Sequence, residues 1–214
     1  EAQGVVITGK GSERVTVEGR LMGGMTDIAG DVSSQFISGL LLAAPLTGQD
    51  CDIRLTTKLG SAAYVDITLQ ALARFGIRAE KLPGALHVPG GQHYRSPGSV
   101  AAEGDWSNAA FWLCLGAVAG GPITCTGLDT ESPQGDRAVL DMLRAFGARV
   151  SVSGDAVTVS GGGLHAAQID IDATPDLAPA LALLGLAAKG ETRLTRIARL
   201  RLKESDRAQT ITDA

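Results

Sequence analysis

Serine, glutamine, aspartate, lysine and arginine stand at places in this chain where they could grip an anion and move a proton. Ser33-Ser34-Gln35 follow Gly30-Asp31-Val32 and open the apolar run FISGLLLAAPL, so they are expected at the start of a helix. Unpaired N–H groups and the positive end of the helix dipole favour an anion there. The same serines would also serve as ordinary N-caps. Ser61 and Tyr64, in SAAYVDITL, precede the next expected helix and could add hydroxyl donors or simply cap it. Asp176 follows Pro175 in the first turn of a further helix, where a carboxylate also complements the dipole.

The most charged string is Leu200-Arg201-Leu202-Lys203-Glu204-Ser205-Asp206-Arg207. On a helix starting near Lys203, the side chains of Lys203 and Arg207 would share one face, with Glu204 on its flank. Two cations and a carboxylate that follow a strand-like segment could hold a phosphate or carboxylate and set a proton donor beside it. A solvated, charge-rich helix start would have the same composition.

The elements that must position these residues recur along the chain. Leu69 to Gln92 and Leu140 to Gly163 both read as a helix ending in Phe-Gly, followed by a two-strand pattern. Apolar residues at helical spacing (Leu69, Leu72, Phe75; Val139, Met142, Leu143, Phe146) precede Gly76 and Gly147, the expected left-handed caps. Upstream, Gly30-Asp31-Val32-Ser33 and Gly104-Asp105-Trp106-Ser107 each read as a strand delivering the chain to a capped helix. A third start lies at Ile171-Asp172, so the starts recur about every 70 residues.

Each full unit predicts strand, helix, strand, helix, strand, strand, a mixed α/β layer. One complete unit is expected at about 30–96, a second at about 104–163 and a truncated one at about 166–214. VVITGKGSERVTVEG resembles only the closing strands of another. A boundary is expected within SPGSVAAE, Ser96 to Glu103, which divides the chain into 1–100 and 101–214.

A net charge of -4 argues against a nucleic-acid surface, which needs clustered Lys and Arg. Cys51, Cys114 and Cys125 have no C-x-x-C spacing and are expected to be reduced packing thiols. No apolar run reaches the roughly 18 residues that a membrane span needs, and a soluble, cytoplasmic protein is expected.

Taken together, GDVSSQFISGLLLAAPL, SAAYVDITLQALARFGI, YRSPGSVAAEGDWSNAAFWLCLGAVAGG, SPQGDRAVLDMLRAFGA, ATPDLAPALALLGLAAKG and LRLKESDR resemble the 5-enolpyruvylshikimate-3-phosphate synthases in order and spacing. The chain looks like roughly the middle half of a member. The resemblance implies an inside-out α/β barrel of two domains, each of three βαβαββ units, with the active site in the cleft between them; it would be incomplete here. Residues 1–100 would belong to the N-terminal domain and 101–214 to the C-terminal domain.

The resemblance implies an enzyme of the shikimate pathway of aromatic amino-acid biosynthesis, a target of glyphosate. It would move the enolpyruvyl group of phosphoenolpyruvate to the 5-hydroxyl of shikimate 3-phosphate, with no metal or redox cofactor. By the same resemblance Ser33, Ser34 and Ser61 hold the 3-phosphate, Tyr64 lines that pocket and Gln35 reaches both substrates. Asp176 bonds the shikimate hydroxyls and is a candidate base, Lys203 lies near the 5-hydroxyl, Glu204 handles the proton on the phosphoenolpyruvate methylene and Arg207 clamps its carboxylate. Arg199 stands where the family often has Asn in contact with shikimate.

Further anion clamps come in the family from segments outside this chain, so alone it is expected to turn over slowly or not at all. Those segments, or a second copy, are candidate partners. Alternative readings are a noncatalytic module derived from such an enzyme and the related UDP-N-acetylglucosamine enolpyruvyl transferase.

Overall fold

A computed structural model of the chain describes residues 4–203 and 205–213, in two compact units, Glu1–Val100 and Ala101–Ala214. The first unit opens with an antiparallel hairpin, β1 (Val5–Thr8) and β2 (Thr16–Gly19). There follow β3 (Gly24–Ile28), α1 (Ser34–Ala43), β4 (Cys51–Leu55), α2 (Ala62–Arg74), β5 (Glu80–Leu82) and β6 (Ala85–Val88), which is the βαβαββ order. Their sheet runs β3-β4-β6-β5, with β3 and β4 parallel and the other two neighbour pairs antiparallel.

Alternation decides which face of this sheet is buried. Cys51, Ile53, Leu86 and Val88 point inward against Ile37 and Leu41 of α1 and Val65 and Leu72 of α2. The Phe-Gly ending of α2 closes it with two bonds of opposite reach. Gly76 N–H donates to Ala73 O at 3.0 Å and Ile77 N–H to Leu72 O at 2.9 Å. Gly76 takes φ 75 to do so, a conformation that glycine reaches without a Cβ penalty.

On the outer face His87 Nδ1 lies 2.7 Å from Asp52 Oδ1, a cross-strand pair between β6 and β4. The bond to Asp52 raises the His87 pKa above its usual value, against a smaller opposing effect of burial. A raised pKa means that this contribution to stability is fully present below the unfolded value, about 6.5, and fades as pH rises through the folded value. The urea midpoint of the chain is therefore expected to fall between pH 6 and pH 8, and Asp52→Asn to remove that dependence. An unchanged pH response in the variant would reject the assignment.

The second unit begins with α3 (Trp106–Val118), β7 (Ile123–Cys125), α4 (Val139–Ala145), β8 (Arg149–Ser153) and β9 (Ala156–Ser160). The three strands form an antiparallel sheet, β7-β9-β8. Phe146-Gly147 ends α4 as Phe75-Gly76 ends α2: Gly147 N–H donates to Arg144 O and Ala148 N–H to Leu143 O. The strand expected ahead of Trp106 is not formed among the described residues. Strand backbone must pair along its length, and in 101–105 the Gly104 N–H donates to Gly127 O and the Gly104 carbonyl accepts from the Gln134 side chain at 3.0 Å, while Asp105 caps α3 through the Ser107 N–H at 2.8 Å.

Trp106, Leu113, Leu143, Phe146, Val157 and Val159 are fully buried in the core of this unit. Gly116 lets α3 approach the sheet closely, since a Cβ there would sit 2.7 Å from the Val159 carbonyl oxygen. The unit continues with β10 (Gln168–Asp170), α5 (Ala178–Ala187), β11 (Arg193–Thr195) and α6 (Arg207–Asp213). β10 and β11 form a parallel pair of their own, and α5 adds Leu181 and Leu184 to the core. All three cysteines are free, and burial pushes the Cys114 thiol up to about 12, so it is an inert packing group. Among the described residues, no helix is long and apolar enough to cross a membrane.

Candidate active site

In the first unit the parallel strands β3 and β4 deliver their loops to the same edge of the sheet. Those loops are stitched together. The Thr57 hydroxyl accepts from the Gly30 N–H at 2.9 Å and the Asp31 N–H at 3.2 Å, and donates to Asp31 Oδ1 at 2.7 Å. Gly60 N–H donates to Gly30 O at 2.9 Å. Gly30 has to be small, because a Cβ would lie 2.8 Å from Thr57 O and 3.1 Å from the Leu59 Cα. The result sets the N-terminus of α1, with Ser33, Ser34 and Gln35, beside the start of α2, with Ser61 and Tyr64.

Ser33 caps α1, its hydroxyl accepting from the Gln35 N–H at 3.2 Å, while Ser34 is buried and the Gln35 side chain is exposed. Ser61 differs from an ordinary cap. It is buried at φ 51, ψ 48, in the left-handed region, and its hydroxyl does not cap α2. A left-handed non-glycine residue is costly and calls for a local reason. Tyr64, in the first turn of α2, donates its N–H to Ser61 O at 3.1 Å.

The second unit repeats the device with opposite chemistry. Parallel β10 and β11 deliver two segments to one edge: a 3-10 turn, Pro175–Leu177, that carries Asp176, and a 3-10 turn, Ile197–Leu202, that leads to Lys203. Arg207 Nη1 lies 2.5 Å from Asp176 Oδ1, and Lys203 Nζ 3.7 Å from the same oxygen. All three side chains are only about a quarter exposed, at 24%, 26% and 23% for Asp176, Lys203 and Arg207. Glu204 lies outside the described residues.

The helix expected to start near Lys203 starts at Arg207 instead, and Lys203 is extended. Asp206 sets that boundary. Its Oδ1 accepts from the Gln209 N–H at 3.1 Å, its carbonyl accepts the Thr210 N–H, and Arg201 holds its other carboxylate oxygen at 2.6 Å. The Gln209 N–H first, and the Arg201 guanidinium after it, keep the Asp206 carboxyl below its usual pKa. Lys203 and Arg207 therefore do not lie on one helix face, yet they converge on one carboxylate.

None of these residues lines the cavity of about 610 Å³ beside Met22, Leu46 and Gln49 or the one of about 500 Å³ beside Glu131, Arg137 and Arg144. Among the described residues no three His, Cys, Asp or Glu side chains cluster to hold a metal ion. Sequence reasoning missed Thr57 and Arg196, which organise the two loop pairs. For Arg196 a signal was present, since Arg196, Arg199, Lys203 and Arg207 recur at spacings of three, four and four.

The family profile described as "EPSP synthase (3-phosphoshikimate 1-carboxyvinyltransferase)" matches residues 1–214. The chain belongs to the EPSP synthase family. A 3-phosphoshikimate 1-carboxyvinyltransferase of Methanocorpusculum labreanum is 46% identical over 202 residues, 94% of this chain and 47% of the relative. That of Clostridium kluyveri is 41% identical over 209 residues, 96% of this chain and 48% of the relative. The chain thus spans about half the length of the curated relatives it matches. Among solved structures, EPSP synthase from Acinetobacter baumannii superposes with a TM-score of 0.76 at 25% identity, over 99% of this chain and 50% of that one. The enolpyruvyl transferase NikO from Streptomyces tendae, at 22% identity and a TM-score of 0.69, shares the fold over 90% of this chain. The mixed α/β architecture is that of EPSP synthase and the enolpyruvyl transferases; no sheet closes into a barrel among the described residues.

Proposed function

We propose that this chain supplies part of the substrate site of a 3-phosphoshikimate 1-carboxyvinyltransferase, with residues 1–100 from its N-terminal domain and 101–214 from its C-terminal domain. The observation that carries the reading is the convergence of Arg207 and Lys203 on Asp176. An anion clamp beside a carboxylate is what enolpyruvyl transfer demands. The 5-hydroxyl oxygen of shikimate 3-phosphate bonds to C2 of phosphoenolpyruvate and loses its proton while C3 gains one. From the resulting adduct the C2–O bond to phosphate breaks and C3 returns a proton, so a new enol ether and free phosphate leave.

Asp176 accepts the hydroxyl proton and orients the ring hydroxyls, with Lys203 alongside. Arg207 takes the phosphoenolpyruvate carboxylate, a bidentate partner suited to guanidinium. Glu204 handles the C3 proton. Ser33, Ser34 and Ser61 receive the 3-phosphate, helped by the N-terminus of α1, with Tyr64 against it and Gln35 reaching both substrates. Glyphosate would compete at Arg207. The three free thiols, two of them buried, suit a reducing compartment, in keeping with a cytoplasmic enzyme.

The test is calorimetric titration of the chain with shikimate 3-phosphate and, separately, with UDP-N-acetylglucosamine, beside a phosphate-release assay. Binding of the first alone, with slow or no turnover until the remaining half of a relative or a second copy is added, is expected. Preference for the nucleotide sugar, or silence towards both, would reject the reading.

A further inference from the structure

Arg199, four residues before Lys203, is turned towards the loop that carries Asp176. Its Nη1 donates to the Asp172 carbonyl oxygen at 2.9 Å in a part-buried position. Three residues earlier, Arg196 sits at φ 55, ψ 44 and directs its Nε to Asp170 Oδ2 at 2.7 Å and its Nη2 to Asp172 Oδ2 at 3.8 Å. Cations at 196, 199, 203 and 207 thus face Asp170, Asp172 and Asp176 in the same order along two adjacent segments.

The members of this ladder differ in kind. The Arg196 pair is open to solvent, with side chains 62% and 49% exposed, and such pairs add little. Arg199 instead ties backbone of one segment to the other. Within the segment itself the bonds are local: Asp172 N–H reaches Asp170 Oδ1 at 3.0 Å, Thr174 N–H reaches Ile171 O at 3.1 Å and Leu177 N–H reaches Thr174 O at 3.1 Å. The buried Thr174 hydroxyl oxygen finds no hydrogen-bond partner. Across to the Ile197–Leu202 turn, the Arg199 bond to the Asp172 carbonyl is a backbone tie between the segment that carries Asp176 and the one that leads to Lys203.

We infer that Arg199 is a positioning residue: it fixes the Asp172–Asp176 loop against the Ile197–Leu202 turn so that one carboxylate meets both cations. This rests on the reading of Asp176, Lys203 and Arg207 as substrate-handling groups. It also gives Arg199 a task other than the ring contact that Asn implies in the family. Misplacing a reacting group by about 1 Å is enough to cost on the order of a hundredfold in rate.

The experiment compares the chain with Arg199→Met, which keeps an unbranched apolar stem without the donors, and Arg199→Lys, which keeps one. Amide hydrogen exchange is read at Thr174 and Leu177, and shikimate 3-phosphate affinity by calorimetry. Arg199→Met is expected to speed exchange at those two amides by about tenfold and to weaken binding by a similar factor, with partial recovery of both in Arg199→Lys. Unchanged exchange at Thr174 and Leu177 overturns the inference whatever the ligand does. Equal acceleration at Val157 and Val159 in β9 overturns it too, since the loss would be general. Local acceleration with unaltered affinity refutes the link to the site. If the unmodified chain does not bind shikimate 3-phosphate, the functional reading falls and the exchange data alone decide the placement of the loop.

Discussion

Asp176→Ala is expected to abolish transfer while strengthening the grip on simple anions. The carboxylate that occupies Arg207 at 2.5 Å and Lys203 at 3.7 Å is removed, so both cations become available to phosphoenolpyruvate. Proton acceptance from the 5-hydroxyl disappears at the same time. Loss of a general base is worth roughly 10²- to 10⁴-fold in rate. Turnover would be read on the chain completed with the remaining half of the Methanocorpusculum labreanum relative, and phosphoenolpyruvate affinity on the chain itself. Weaker anion binding in the variant would mean that Asp176 builds the clamp instead of occupying it. Turnover within a factor of a few of the unmodified protein would remove Asp176 from the chemistry.

The largest stability effect is expected at Trp106. Its indole is fully buried, its Nε1–H donates to the Asp129 carbonyl at 3.0 Å and its backbone N–H to Gln134 Oε1 at 2.9 Å. Trp106→Ala removes the indole bond and leaves a cavity beneath the first turn of α3. Large-to-small changes of this kind cost about 3–5 kcal/mol. For a domain of this size that is roughly 10 °C or more in Tm. Differential scanning calorimetry checks it, with Trp106→Phe expected to lose less than half as much. A shift under about 3 °C would show that the core closes over the gap.

Much of the architecture was legible because the chain uses one device twice. An apolar helix face ending in Phe-Gly forces a left-handed turn, and Gly76 and Gly147 take it at φ 75 and 86. The paired strands that follow, β5 with β6 and β8 with β9, were visible in alternation. What could not be read was whatever depends on a partner distant in sequence. Ser61 looks like any cap, and its left-handed backbone follows directly on Gly60, the last of the ties of 56–60 to 28–31. The start of α6 was misplaced because Lys203 and Arg207 have helical spacing, whereas Asp206, tied by Arg201, wins the competition to cap. The strand expected before Trp106, on the likeness of Gly104-Asp105-Trp106-Ser107 to Gly30-Asp31-Val32-Ser33, did not form, since a strand needs a neighbour along its length and a repeated start supplies none.

The two limbs that meet at Asp176 are anchored by different forces. Asp176 stands between buried Pro175 and Leu177, on a turn that leads into the fully buried side of α5. On the opposite limb Leu200 is buried, Ile197 and, in α6, Ala208 and Ile211 pack partly buried against the core, and Arg196, Arg199 and Arg201 add polar ties at the surface. Ionic strength acts on such a limb long before it touches an oily interior. Concentrated electrolyte is thus expected to loosen the ties between the two limbs, and with them the pairing at Asp176, before it disturbs the packing beneath.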